Sequence, residues 1–371
     1  MSHFFGLTRE DLVSWLEHIG VSGVHAKRIF AQVYREACLE WQEGTNLPLK
    51  LRRHWTESWC KIPLQVSRVL TSNYDGSVKF VFALEDGYEI ESVLMPETSR
   101  TTVCLSTQVG CRQGCRFCHT GRMGLLRQLT TEEIVGQVMA IEAWMRRHPD
   151  WNDSHHRGSR VSNVVFMGMG EPLDNLEALI PALKIMLDPW GLGLAPRRVT
   201  VSTAGHLDGL RQLVDSGVHT AIALSLHSPF RQERSRLMPI NKRFDLDDVL
   251  DFLDQVTREQ NRHCLVQYTL IGGKNDTLDH ARALGELLQG RAVKVNLIPF
   301  NPVDSVAFVP PEPLMVQKFR DTLSNYGLRI MVRYSKGQDI AAACGQLIRK
   351  KQTRKSVSKA AATQVSSYVS G

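Results

Sequence analysis

Four of the eight cysteines in this chain fall between Cys104 and Cys118, and Cys111, Cys115 and Cys118 are spaced C-x3-C-x2-C. Clustered thiols can form disulfides, hold metal or carry redox chemistry. At 371 residues the chain can bury a large core without stapling. Its start, MSHFFGLTREDL, lacks the charged-then-apolar pattern of a leader, and no window approaches the ~18 uninterrupted apolar residues of a membrane span. A cytoplasmic protein with no membrane partner is therefore expected, and there thiols stay reduced. Three thiolates match three corners of a [4Fe-4S] cube. The fourth iron is then open to chelate the amino and carboxylate groups of S-adenosylmethionine, and an electron passed to the sulfonium yields a 5′-deoxyadenosyl radical. Zinc, with Cys104 as a fourth sulfur, is the alternative, but zinc sites usually pair two C-x2-C knuckles and this segment has one. Cys38, Cys60 and Cys264, each alone in apolar or amphipathic settings, read as core cysteines.

These thiols need elements to hold them. Up to about Lys61, charged and apolar residues alternate at helical spacing in TREDLVSWLEHI, HAKRIFAQVYREA and PLKLRRHWTES, predicting a small helical domain over residues 1–62. Thr8 followed by Asp11 fits a capping box, and the stretch from Gly20 to Gly23 separates the first helix from the second. Asp75-Gly76 and Asp86-Gly87 are hairpin-turn pairs within alternating apolar and polar residues, predicting a small antiparallel β extension over residues 63–97. Over residues 98–348, strand-type runs (VSNVVFMGMG, RRVTVSTAG, TAIALSLHS, HCLVQYTLIGG, AVKVNLIPFNP, RIMVRYS) alternate with helical stretches. That is the pattern of βαβ units and a parallel sheet closed or partly closed into a barrel. Gly168, Gly170, Glu171, Ser202, Ser225, His227 and Asn301 collect just after these runs, where such barrels hold ligands. The cysteine triad falls at the end of a first strand, on a loop leading into a helix at Thr130. Residues 349–371, rich in Lys, Ser and Ala, read as a basic disordered tail.

With the triad after the first strand and MGMGEP after the second, the chain resembles the radical-SAM superfamily. The resemblance narrows to the RlmN/Cfr family of RNA adenine methyltransferases. The helical N-terminal domain, IESV, CLSTQVGC, FMGMGEP, VTVSTAG, SLHSP, MPIN, NLIPFNP and DIAAACGQL occur here in that family's order, from about Leu7 to Leu347. It implies an α/β fold, a partial (β/α)6-type radical-SAM barrel with an N-terminal helical domain and a small antiparallel β extension. It also implies that Cys111, Cys115 and Cys118 hold the [4Fe-4S] cluster, while Gly170, Glu171, Ser202, Ser225, Leu226, His227 and Asn301 contact S-adenosyl-L-methionine.

The chemistry implied by the family explains the remaining cysteines. An adenine carbon is electron-poor, so methylation by simple displacement fails and a radical route is required. Cys344 would take a methyl group from one S-adenosylmethionine. A second molecule would supply the radical that removes a hydrogen from the S-methyl group, and the carbon radical would add to adenine. Cys104 matches the resolving cysteine, whose attack on Cys344 frees the product and forms a transient disulfide. Glu91 in IESV aligns with a proton acceptor. The implied partners are 23S rRNA, with tRNA as a further candidate, and an electron donor such as flavodoxin or ferredoxin; a monomer is expected.

The expected target is adenine C2, with C8 as the rival; SLHSPFRQERSRLMPIN resembles the C8 branch, whereas GEPLDN and WGLGLAPRRVTVSTAG suit the C2 branch. A third alternative is a non-catalytic zinc-dependent RNA-binding protein, which finding iron with acid-labile sulfide would remove. The formal charge of +7 and pI near 9.0 suit a polyanionic partner. Lys27, Arg28, Arg52 and Arg53 are candidate phosphate contacts, and the target base must leave its stack to be reached. Without the resemblance, Glu91 reads as an exposed strand carboxylate, and His227 and Cys344 as core residues. His155 and His156 read as a surface loop. Gln338 and Ala341 stand where relatives often carry acidic residues, and His119 where they carry a small one.

Overall fold

The computed structural model describes residues 4–36, 49–52, 62–151, 160–302 and 307–347. One ten-stranded sheet runs in the order β1-β2-β3-β4-β7-β8-β9-β10-β11-β12, and a separate ladder pairs β5 with β6. Strands β1 (Leu64–Thr71), β2 (Val78–Leu84), β3 (Glu89–Glu97) and β4 (Arg100–Cys104) are antiparallel neighbours. Gly76 and Gly87, both at positive φ, turn the first two hairpins, as the Asp-Gly pairs predict. From β4 onward every pairing within the ten-stranded sheet is parallel, through β7 (Asn163–Phe166), β8 (Val199–Thr203), β9 (Ala221–Ser225), β10 (Cys264–Leu270), β11 (Val293–Pro299) and β12 (Arg329–Val332). Six strand-helix units are thus followed by β12, and the sheet stays open, with β1 and β12 at its edges.

The parallel strands are apolar because both faces are covered. In β10 every residue but Leu265 is buried, including Gln267 and Thr269. Crossover helices such as Thr131–Arg147, Leu176–Leu187, Leu207–Asp215 and Leu246–Glu259 supply the outer layer. The first of these begins at a capping box formed by Thr130 and Glu133, and its Trp144 packs edge-on against Phe80 of β2, centroids 5.3 Å apart.

In the N-terminal segment the Thr8 capping box forms with Asp11 and opens the helix Arg9–His18. Phe4, Phe5, Phe30 and Tyr34 pack as an aromatic cluster, and Arg9 reaches Asp188 beyond the helix Leu176–Leu187 at 2.7 Å. Cys38, Cys60, Arg53, His155, His156 and the tail lie outside the described residues. No helix among the described residues is long and apolar enough to cross a membrane.

One local expectation is corrected. Cys111 is the last residue of β5 (Gln108–Cys111), which pairs antiparallel with β6 (Gly124–Gln128) rather than joining the main sheet. The first parallel strand, β4, ends at Cys104. The triad therefore sits in a hairpin excursion between β4 and the helix at Thr131, where the chain has room to curl its three cysteines toward the sheet's C-terminal edge.

Candidate active site

A cavity of about 980 Å³ opens at the C-terminal ends of the parallel strands. Cys111, Cys115 and Cys118 line one wall; Gly170, Glu171, Ser202, Ser225, His227 and Asn301 line the rest, with Cys344 at the edge. Residues separated by more than 200 positions in sequence meet because they lie at or just beyond the ends of several different strands. Leu226 is buried but outside this lining; its N–H donates to Gln267 and its carbonyl accepts from Arg234.

The glycine-rich turn after β7 owes its composition to close packing. A Cβ on Gly168 would lie 2.6 Å from the Leu105 carbonyl oxygen, and Gly170, at φ +106°, would bring one within 2.6 Å of Gln108. The next residue, Glu171, is buried. Its carboxylate accepts the Ala204 N–H at 2.8 Å and the Leu173 N–H at 3.3 Å, while its own N–H donates to Gln108 Oε1. Burial outweighs those hydrogen bonds and pushes its pKa up to about 7.

His227 holds a left-handed conformation, φ 59°. Its Nδ1 accepts the Thr269 N–H at 2.9 Å, so the neutral ring carries its proton on Nε2. Burial, with Arg234 adding to it, pushes its pKa down to about 3 and keeps it neutral. Asn301 is held from two sides, its Nδ2 donating to Ser335 Oγ at 2.8 Å and its Oδ1 accepting from Gln338 Nε2 at 3.2 Å. Gln338, one of the departures from the family pattern, thus supports a cavity residue.

Cys344 is exposed and lies on a loop stapled to the cysteine triad. The His119 N–H donates to the Gly345 carbonyl at 2.8 Å, and Thr120 Oγ1 donates to the Leu347 carbonyl at 2.7 Å. The same thiol lines a second cavity of about 560 Å³ together with Cys104, Val93, Met95 and Arg333. Cys344 is therefore shared by the two cavities, one with the triad and one with Cys104. Burial pushes Cys104 up to about 12, with Cys344 adding to the rise. Desolvation of the sulfur and the nearby Cys118 raise the Cys344 thiol as well, while Arg333 opposes both shifts.

Glu91 is buried, not exposed, on β3. Its carboxylate pairs with Lys79 Nζ at 3.2 Å across the β2–β3 ladder, and Lys79 also donates to the Ala341 carbonyl at 3.1 Å. The pair thereby touches the Cys344 loop. Lys27 lies over the Trp190 ring at 6.0 Å, outside both cavities.

Sequence reasoning missed Arg234. In RQERSRL it looks like one cation of a solvated helix, yet it is 1% exposed. Its guanidinium donates to the carbonyls of Ala204, Ser225 and Leu226 and to Asn241 Oδ1, tying together the segments after β8 and β9. Arg234→Met should lower stability by about 3 kcal/mol, roughly one for each carbonyl left without its donor. Thermal unfolding of the variant checks this, and an unchanged Tm would contradict it.

Such a fold, with a cysteine triad and a glycine-rich turn at one end of a parallel sheet, defines the class: residues 105–288 match the Radical SAM superfamily. The chain is 37% identical to a probable dual-specificity RNA methyltransferase RlmN 2 of Protochlamydia amoebophila, covering 91% of this chain and 92% of that protein. It is 36% identical to a dual-specificity RNA methyltransferase RlmN of Bdellovibrio bacteriovorus, over 93% of this chain and 83% of the relative. Among solved structures, a radical SAM methyltransferase from Sphaerobacter thermophilus superposes with a TM-score of 0.85 at 37% identity, covering 94% of this chain and 99% of the other.

The chain belongs to the RlmN family of radical SAM RNA methyltransferases. It is an S-adenosylmethionine-dependent enzyme with an RNA substrate, and its class carries a [4Fe-4S] cluster. The donor set fits that group. Three thiols line one cavity, the donor type that holds such a cluster. Burial holds the protons on Cys111, Cys115 and Cys118, so a bound cation is what would turn them into thiolates.

Proposed function

We propose that this enzyme methylates adenine C2 in 23S rRNA, with tRNA as a second substrate, by way of S-methylated Cys344. The observation that carries the reading is the position of Cys344, shared between the triad cavity and the Cys104 cavity. Cys111, Cys115 and Cys118 would hold the [4Fe-4S] cluster, which when bound would supply the electron for reductive cleavage of S-adenosylmethionine. Gly170, Glu171, Ser202, Ser225, His227 and Asn301 hold that cofactor: Glu171 and Asn301 suit its ammonium and hydroxyl groups, and the Nε2–H of His227 is a donor. Leu226 serves through its backbone, which fixes the strand end beneath Ser225.

Two S-adenosylmethionine molecules serve each turnover, one donating its methyl to the Cys344 sulfur and the other giving the radical that activates that methyl. Once the adduct has given up its odd electron to the redox partner, the Cys104 thiolate attacks the Cys344 sulfur; the adenine-bound carbon leaves with the C–S electron pair and takes a proton from solvent to complete the methyl group, and the cell's reductants reopen the disulfide. Glu91 takes the proton lost from the adenine carbon, relieved of part of its charge by Lys79 until then. Arg333, in the cavity of Cys104, is a cation that favours both thiolates. The N-terminal helices, with Lys27 and Arg28, form an RNA-binding part, and the enzyme acts as a cytoplasmic monomer served by a flavodoxin or ferredoxin.

Nucleoside mass spectrometry of 23S rRNA fragments after anaerobic incubation with reconstituted enzyme, S-adenosylmethionine and reductant tests the target. We expect 2-methyladenosine. Appearance of 8-methyladenosine alone would overturn the C2 assignment, and cofactor cleavage with neither product would move the substrate elsewhere.

A further inference from the structure

A third cavity, about 1150 Å³ and open to solvent, lies at the other end of the sheet. It is lined by residues at or before the starts of β9, β10 and β11, such as Thr220, Ile222 and Cys264, whereas the triad cavity is lined by residues at the strands' far ends. Four of its lining side chains are Arg197, Arg262, His263 and Lys294, and no Asp or Glu among the described residues lines it. Among the described residues, Arg197, His263 and Lys294 have no side-chain hydrogen bond or ion pair.

Two atoms here point to a missing ligand. Arg262 Nη1 is buried with no hydrogen-bond partner, and so is the hydroxyl of Thr220, a residue only 4% exposed. Such atoms are costly to bury unless something satisfies them, and a guanidinium and a hydroxyl lining one cavity are donors that fit phosphoryl oxygens. The neighbouring end of the helix Leu246–Glu259 does not oppose an anion strongly, because the carbonyls of Val256, Thr257 and Arg258 already accept the N–H groups of Gln260, Arg262 and Asn261. The remaining wall, with Pro196, Ile222, Leu253 and Val256, is apolar and large enough for a nucleobase.

We propose that this cavity binds a phosphorylated nucleotide, its phosphate on Arg262, Lys294 and the Thr220 hydroxyl and its base against the apolar wall. The nucleotide is either free or part of an RNA strand passing the face opposite the chemistry. The site is independent of which adenine carbon is methylated.

Uridine 5′-monophosphate is a suitable probe because it lacks the adenine that the other cavities would take. Calorimetric titration of the full-length protein should show binding of this nucleotide and at least ~10-fold weaker binding of uridine. The double variant Arg262→Gln, Lys294→Gln should weaken the nucleotide by at least ~10-fold, and Thr220→Val by about 3-fold, with reductive cleavage of S-adenosylmethionine unchanged in both. The Thr220→Val arm guards against misfolding, since it keeps every charge and nearly the same volume. If hexauridylate competes with the mononucleotide, the source is an RNA strand; if it does not, the source is a free nucleotide. Absence of binding at millimolar nucleotide, or equal affinity in all three proteins, would overturn the proposal.

Discussion

Cys104→Ala should turn the enzyme into a covalent trap. Incubated with S-adenosylmethionine, reductant and 23S rRNA fragments, the variant accumulates a protein–RNA adduct joined through Cys344, and released methyladenosine falls by at least ~10²-fold. The reason is positional. Cys104 ends β4 and lines the smaller cavity with Cys344, where its charge state responds to that thiol. No other cysteine among the described residues lines that cavity. On the proposed route, the carbon would stay bonded to both sulfur and base without Cys104. Denaturing gel electrophoresis with labelled RNA measures the adduct, and ribonuclease digestion followed by mass spectrometry locates it. Normal turnover by Cys104→Ala would remove the resolving role.

The second large effect belongs to the triad. Cys115→Ala should abolish the iron-sulfur absorbance of the reconstituted protein and lower 5′-deoxyadenosine formation by more than ~100-fold, a loss that even outer-shell partners of a metal site can cause. Cys115 is buried in the cavity wall, its thiol proton held tightly by that burial and by the neighbouring cysteines. Removing the thiol leaves a methyl-sized gap but no unpaired charge, so the apoprotein should melt near its normal temperature. A variant that keeps the absorbance and the cleavage would show that the cluster is held by other residues.

Much of this architecture was legible in the chain because parallel strands buried on both faces read as continuous apolar runs, and the runs predicted for β7 to β12 are all strands. The Thr8 cap and the two Asp-Gly hairpins were legible because each is a local device complete within a few residues. What was not legible depends on register and tertiary packing. Glu91 reads as an exposed strand carboxylate until β2 sets Lys79 beside it, with Lys79 also bound to the Ala341 carbonyl of the Cys344 loop. Arg234 is invisible for the same reason: its helix is short and polar, and only the convergence of three strand-end carbonyls explains a buried guanidinium. The β5–β6 ladder escaped because GLLRQ is brief and partly exposed, without the alternation that marks a longer strand. The seven proposed cofactor contacts and the lone Cys344 came from motif order rather than from their own residue types. Geometry adds that six of those contacts share the triad cavity and that Leu226 stands behind it.

Passage of the transferred carbon through Cys344 is open to one direct measurement. Protein is first methylated with S-adenosylmethionine carrying a trideuterated methyl group, freed of cofactor, and then given unlabelled S-adenosylmethionine, reductant and RNA for a single turnover. Peptide mass spectrometry should find the label on Cys344 before the turnover and gone from it afterwards. The adenine should then carry the labelled carbon with two of its deuteriums. If the first methyl found on RNA is unlabelled, or if Cys344→Ala still methylates adenine, the carbon does not pass through this residue.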